Sequence, residues 1–321
     1  MKNVLFATTA LVGFAGVAFA QDAGVSLSGS AEMGITYENI DDPAGDSETA
    51  VFHNDIDVTF TLSGATDNGL TFGATIDLDE VGDGDNLDFE NSVFVSGAFG
   101  TLSMGDIDGA YDRALSNIHA GGLSDEADVA SGTTGFDGLA PEILRYDYAF
   151  GPVVLSASLG LEDQMPLNDE AGGSSNGDLT DNVYGLGIAY GGDFGAATLD
   201  LGAGIQYTEL MGEEAYVYGG SATVGFGSFE VIGVVEVFDT DSASASATDG
   251  ESYGISGAYN TGPWEFALGY EFSDFGMDRD VVQGYVTYDL GGGAEIVSAA
   301  SWVDSGGVET TRAGFGLGFS F

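Results

Sequence analysis

Cysteine is absent from the 321 residues, so neither a disulfide framework nor a thiolate metal site is available to this chain. Basic side chains are almost absent too: Lys2, Arg113, Arg145, Arg279 and Arg312 stand against 52 acids, for a formal net charge of −47. A chain of that sign repels a phosphate backbone, which excludes nucleic acid as a partner. The only histidines are His53 and His119, and neither has a spacing that suggests a Ser/His/Asp arrangement, so no enzyme activity is expected. Beyond the first twenty residues no apolar run approaches the roughly 20 residues that a spanning helix needs, and no Pro-rich or charge-rich linker divides the chain.

Such acidity can mark disorder, yet hydrophobic residues make up 44% of the chain and aromatics 12%, too much for a solvated polyanion. The chain is expected to fold. Lys2, the apolar stretch 4–19 and the small-x-small triplet Ala18-Phe19-Ala20 read as a secretory signal peptide over residues 1–20, with the mature protein starting at Gln21. Read as an anchor, the stretch is short and leads straight into strand pattern. Residues 21–321 then form one domain.

From Gly24 onward every second side chain is apolar. Val25, Leu27, Ala31, Met33 and Ile35 share one face while Ser26, Ser28, Ser30, Glu32 and Thr36 share the other, and the pattern persists to Phe315, Leu317, Phe319 and Phe321. Short connections fall at 66–69, 99–100, 150–152, 191–195, 227–228, 260–262 and 291–293, and longer polar ones at 38–52, 81–89, 106–140, 163–181, 208–215, 239–250, 273–280 and 304–309. Their alternation implies sixteen strands and an all-β fold, an antiparallel transmembrane β-barrel with its apolar face in lipid. A soluble sandwich shares the side-chain parity but not the rhythm of short turns and long loops. At about sixteen strands a barrel encloses an aqueous channel rather than a packed core. Strand parity points Glu32, Asp57, Asp77, Asp147, Asp200, Glu230, Glu236, Glu265 and Glu271 into that lumen. Aromatics at strand ends, among them Tyr37, Phe99, Phe150, Tyr207, Trp264 and Trp302, suit interface girdles, although strand propensity alone also places aromatics there.

Residues 106–140 break every period, which in a chain this compact marks a functional or disordered connection. Parity would push Asp106 into lipid, so the strand must end there. A loop turning inward folds into the lumen and sets the acids Asp106, Asp108, Asp112, Asp125, Glu126 and Asp128 at the constriction; the alternative is an exposed mobile loop. Arg145 and Arg312 face the lumen by parity, either opposing those acids in a transverse field or simply pairing with wall acids such as Asp147. In both cases the net field favours cations. No cofactor is required. Crowded loop carboxylates such as Asp108 and Asp112 could hold calcium, whereas the stretch Asp83-Gly84-Asp85-Asn86-Leu87-Asp88 matches a calcium loop only weakly, since Leu87 replaces an oxygen ligand.

Several segments resemble the trimeric general porins of alphaproteobacterial outer membranes: Val25-Ser26-Leu27-Ser28-Gly29, Ala31-Glu32-Met33-Gly34, the run from Ser63 to Ala74, Val95-Ser96-Gly97-Ala98-Phe99-Gly100, Met104-Gly105-Asp106, and the run from Tyr288 to Ala294 with terminal Phe321. Their shared order is more specific than any single motif. The resemblance implies a homotrimer in the outer membrane of a Gram-negative bacterium, with the third loop in the pore and passive diffusion of ions and small hydrophilic solutes. Its partners would be outer-membrane lipid, two further copies of itself and the insertion machinery that reads Phe321. The family's cluster of basic wall residues is reduced here to Arg145 and Arg312, which sharpens the expected cation preference. A structural or adhesive barrel would need larger projecting loops.

Overall fold

The computed structural model describes residues 24–80, 87–123, 127, 128, 130, 135–140, 142–161, 182–210, 212–240 and 249–321; the expected signal peptide lies outside them. Sixteen strands run in order: β1 (Gly24–Asp41), β2 (Ser47–Ala65), β3 (Thr71–Glu80), β4 (Leu87–Gly97), β5 (Gly100–Gly105), β6 (Ile143–Phe150), β7 (Val153–Gly160), β8 (Val183–Asp193), β9 (Ala197–Leu210), β10 (Glu213–Phe226), β11 (Phe229–Thr240), β12 (Gly250–Thr261), β13 (Trp264–Asp274), β14 (Asp278–Gly291), β15 (Ala294–Ser305) and β16 (Val308–Ser320). Each pairs antiparallel with its sequence neighbours. β16 returns to β1, from Ser30 opposite Ser320 to Asp41 opposite Glu309, and closes the sheet. Closure leaves no open edge, a condition for backbone surrounded by hydrocarbon.

The distribution of side chains is the reverse of a soluble protein's. Leu268 on the outward face of β13 is 65% exposed, while Glu271 on the inward face of the same strand is 2% exposed and Gln283 of β14 is 1% exposed. Lipid is the solvent of the outer face. Aromatic pairs band both ends of that face. Phe229–Tyr259 at 4.5 Å and Trp264–Tyr288 at 4.6 Å lie at the short-turn end, with Tyr207–Tyr216 at 5.0 Å and Tyr253–Phe272 at 5.2 Å at the other.

The turn over 66–70 forms as its residues suggest: the Gly69 amide donates to the Thr66 carbonyl at 2.9 Å with Gly69 at φ +86°, and the Leu70 amide donates to Thr66 Oγ1 at 3.0 Å. Four connections expected to be long are shorter than their composition suggests. Strand pairing continues until only 42–46, 211–212, 275–277 and 306–307 remain between β1 and β2, β9 and β10, β13 and β14, and β15 and β16. Once a hairpin emerges from the hydrocarbon both of its faces meet water. Its apolar alternation stops while its hydrogen-bond ladder does not. Leu268→Arg, at mid-height on the lipid face, should cost about 2–4 kcal/mol of folding free energy in vesicles, whereas Thr61→Arg on the inward face of β2 should cost much less, both measured by denaturant titration.

Candidate functional site

β5 ends where the parity argument requires. Gly105 takes φ +137°, its missing side chain leaves room for the Asn91 carbonyl, and the Asp106 amide donates to that carbonyl at 2.8 Å. A β-carbon at this position would be both strained and obstructed. The chain leaves the sheet here and runs along the inner face of the wall.

Its path is marked by wall hydroxyls that accept otherwise unsatisfied loop amides. Ala110 donates to Ser158 Oγ of β7 at 2.8 Å, Ser116 to Ser221 Oγ of β10 at 2.8 Å, and His119 to Ser256 Oγ of β12 at 2.9 Å. Tyr111 Oη donates to Glu236 of β11 at 2.7 Å, and Gln283 Nε2 of β14 donates to the His119 carbonyl at 2.9 Å. The His119 ring lies 2.7 Å from Ser256 Oγ through Nδ1 and 3.2 Å from Glu230 through Nε2. It is a buried tether rather than a base. A tie of this kind stabilises by only about 0.5–1.5 kcal/mol net, but removing the wall partner strands a buried donor at roughly 1–3 kcal/mol.

Close approach depends on glycine. Gly187 of β8 and Gly202 of β9 face the backbone carbonyls of Ala110 and Ala114 so closely that a β-carbon at either would overlap them. Gly204 and Gly219 receive Tyr111, while Gly34 and Gly316, across the β1–β16 seam, receive Leu123. These inward glycines carry the loop's seat, and reading the sequence for chemistry passed over them. The available signal was parity: Gly185-Leu186-Gly187 and Gly202-Ala203-Gly204 place glycine at successive lumen positions.

The returning limb packs against the outgoing one. Phe136 joins Tyr111, Val183, Ala215 and Val217 in an apolar cluster, with the Phe238 ring edge-on at 5.1 Å. Gln206 accepts from the Phe136 amide at 2.7 Å and donates to Asp137 Oδ1. The other Asp137 oxygen accepts the Gly109 amide at 2.7 Å, so one carboxyl ties both limbs together. Burial pushes its pKa from 3.8 up to about 7; the bonds from Gly109 and Gln206 oppose that rise, and Asp112 and Asp108 add to it.

Arg145 is 7% exposed and fixes the root of the loop. Its Nε donates to Asp147 at 3.0 Å and its Nη1 to the Asp108 carbonyl, while Ser156 Oγ donates to the second Asp147 oxygen at 2.6 Å. Of the two arrangements the sequence left open, this is pairing with a wall acid. Arg113 lies beside Arg145, Asp147 and Asp108, and burial followed by the Arg145 charge lowers its pKa. Arg312 pairs with Glu38 at 2.9 Å and Arg279 with Glu271 at 3.5 Å.

Three of the expected wall acids bond to or lie close to polar neighbours on adjacent strands. Asp57 accepts from Ser30 at 2.8 Å, Asp77 from Thr59 at 3.1 Å, and Glu32 lies 3.7 Å from His53. Asp112 opens a single 3-10 turn over Asp112–Ala114, the side chains of Asp106, Asp108 and Asp128 are exposed, and Asp125 and Glu126 lie outside the described residues. Among the described residues no three His, Asp or Glu side chains are placed to hold a metal ion, so calcium at Asp108 and Asp112 would need further ligands from elsewhere. The Phe321 amide donates to the Gly29 carbonyl at 2.9 Å, and its ring is 81% exposed on the outer face.

Gly202→Val should displace the loop toward the channel axis and lower single-channel conductance with added noise, whereas Gly233→Val, where a β-carbon meets nothing within 4 Å, should leave conductance unchanged. Because the seated loop binds the Asp137 proton more tightly than a released one, seating is firmest in acid. It weakens as pH rises from about 4 to about 7 and is constant above. Open-channel noise should follow that course and lose its pH dependence in Asp137→Asn.

A family profile described as Gram-negative porin matches residues 7–307. A porin of Rhodobacter capsulatus is 30% identical over 311 residues, spanning 85% of this chain and 92% of that protein. A porin structure refined at 1.8 Å superposes with a TM-score of 0.68 at 25% identity, over 93% of this chain and all of that one. The anion-selective porin from Comamonas acidovorans superposes with a TM-score of 0.67 at 17% identity, over 94% of this chain and all of that one, a likeness of fold alone. With a closed sixteen-strand barrel and a profile match across nearly its whole length, the chain belongs to the Gram-negative porins, outer-membrane channels rather than enzymes.

Proposed function

We propose that this porin is a water-filled, cation-preferring pore through which ions and small hydrophilic solutes diffuse passively, working as a homotrimer. Fold does not set the sign of selectivity, since an anion-selective porin shares it; the lining charges do. The observation that carries the reading is the placement of positive charge. All four arginines lie beside acids, and β1–β4 contain no lysine or arginine at all. Their inward face instead presents Glu32 opposite Asp55 and Asp77 opposite Glu90. Loop acids such as Asp108 and Asp112 add to the same sign.

Resemblance to trimeric general porins supports the assembly, cleavage after Ala20 and a role for Phe321 as insertion signal; native mass, N-terminal sequencing and a Phe321 deletion test these separately. In a planar bilayer across a salt gradient, zero-current potentials should show cation preference, strongest at low salt where screening is weak. Asp57→Asn with Asp77→Asn should reduce the potential without closing the channel. An anion-selective potential would overturn the reading.

A further inference from the structure

The outer face of β6–β9 carries an apolar trough of about 820 Å3 that conduction does not use. Register explains its shape. One row of outward side chains across these strands is Tyr146, Ala157, Leu186 and Ile205; the next, toward the short turns, is Tyr148, Leu155, Ile188 and Ala203. Ala157 and Ala203 are the short members. Gly220 of β10, opposite Ala203, extends the second row with no side chain. The trough therefore has two low points, Ala157 between Tyr146 and Leu186, and Ala203 beside Ile188, and no charged side chain lines it.

The row on the loop side of the trough runs from Leu144 and Leu159 on β6 and β7 into tyrosine, with Tyr184, Tyr207 and Tyr216 of β8–β10 side by side in register. Their ring centroids lie 6.2 and 5.0 Å apart, and Tyr218 stacks 6.1 Å from Tyr216. The hydroxyls have polar company: Tyr207 donates to Glu209 and Tyr216 to Glu214, each at 3.3 Å, and Asn182 donates to Tyr184 Oη at 3.4 Å. Rings with an apolar body and a wet tip settle where hydrocarbon meets headgroups. The trough therefore starts just below the headgroup level at the loop end and extends into hydrocarbon.

We propose that the trough seats one lipid of the outer leaflet, with its acyl chains over the low points at Ala157 and Ala203, either side of Leu186 and Ile188, and its polar head against the tyrosines of β8–β10. The occupant follows from position, because the trough is continuous with the lipid-facing band and opens sideways into the membrane. A chain over Ala157 gains flanking contacts with Tyr146 and Leu186, and one over Ala203 with Ile188, that a flat barrel face does not offer.

Native mass spectrometry of protein extracted from its own outer membrane in mild detergent should show one retained lipid per chain. Filling the floor with Ala157→Leu and Ala203→Leu should abolish retention, while Ala300→Leu on the outward face of β15 should not. Added hydrocarbon on a lipid-facing surface leaves the fold intact, and unchanged single-channel conductance confirms it. Equal retention in the filled variant, or none in the wild type, would overturn the proposal. Because the chain has no cysteine, Ala157→Cys provides a single thiol; its cross-linking to another copy of the chain would show that protein covers the trough and would also overturn it.

Discussion

Backbone amides and carbonyls have no partner in hydrocarbon except one another, and the ladder between β1 and β16 is what satisfies the last of them. Fifteen hairpin pairings would leave two open edges; the sixteenth removes both. Everything else depends on that closure. It creates an inside that is wet and an outside that is greasy, and so gives each strand its alternating composition. The C-terminal residue is part of the seam, since the Phe321 amide donates to Gly29.

Closure also provides a surface to which a loop can be fixed inside a channel. An apolar core would hold the loop by packing alone, but this wall is polar, and it offers serine hydroxyls to the amides of Ala110, Ser116 and His119 together with glycines where the loop backbone passes closest. Tyr111 and Phe136 add a small dry cluster between loop and wall. The loop is thus a second layer laid on the inner face of the barrel.

The scarcity of positive charge acquires meaning from where the arginines sit. Arg145 holds Asp147 and the Asp108 carbonyl at the loop root, Arg312 holds Glu38, and Arg279 holds Glu271. Four guanidinium groups, each held beside an acid, stand against 52 acids. The acids on β1–β4 line a wall that the sequence leaves without lysine or arginine.

Period-two alternation made the sixteen strands, the inward acids and the departure of the chain at Asp106 legible, because parity is a property of neighbouring residues and needs no knowledge of the partner strand. Strand ends were less legible, since outside hydrocarbon the ladder persists without apolar alternation, as between β9 and β10. Parity faced Arg145 inward, yet its choice between a transverse field and Asp147 depended on the loop carbonyl it also holds. Gly187 and Gly202 were visible as inward glycines but acquired a role only once the loop lay on them. The sequence by itself determined which face of each strand meets lipid and which meets water, because that is decided residue by residue. Register and loop docking were decided by the tertiary structure alone, because they join residues distant in sequence, and with them came the loop seat, the pairing of each arginine and the trough on β6–β9.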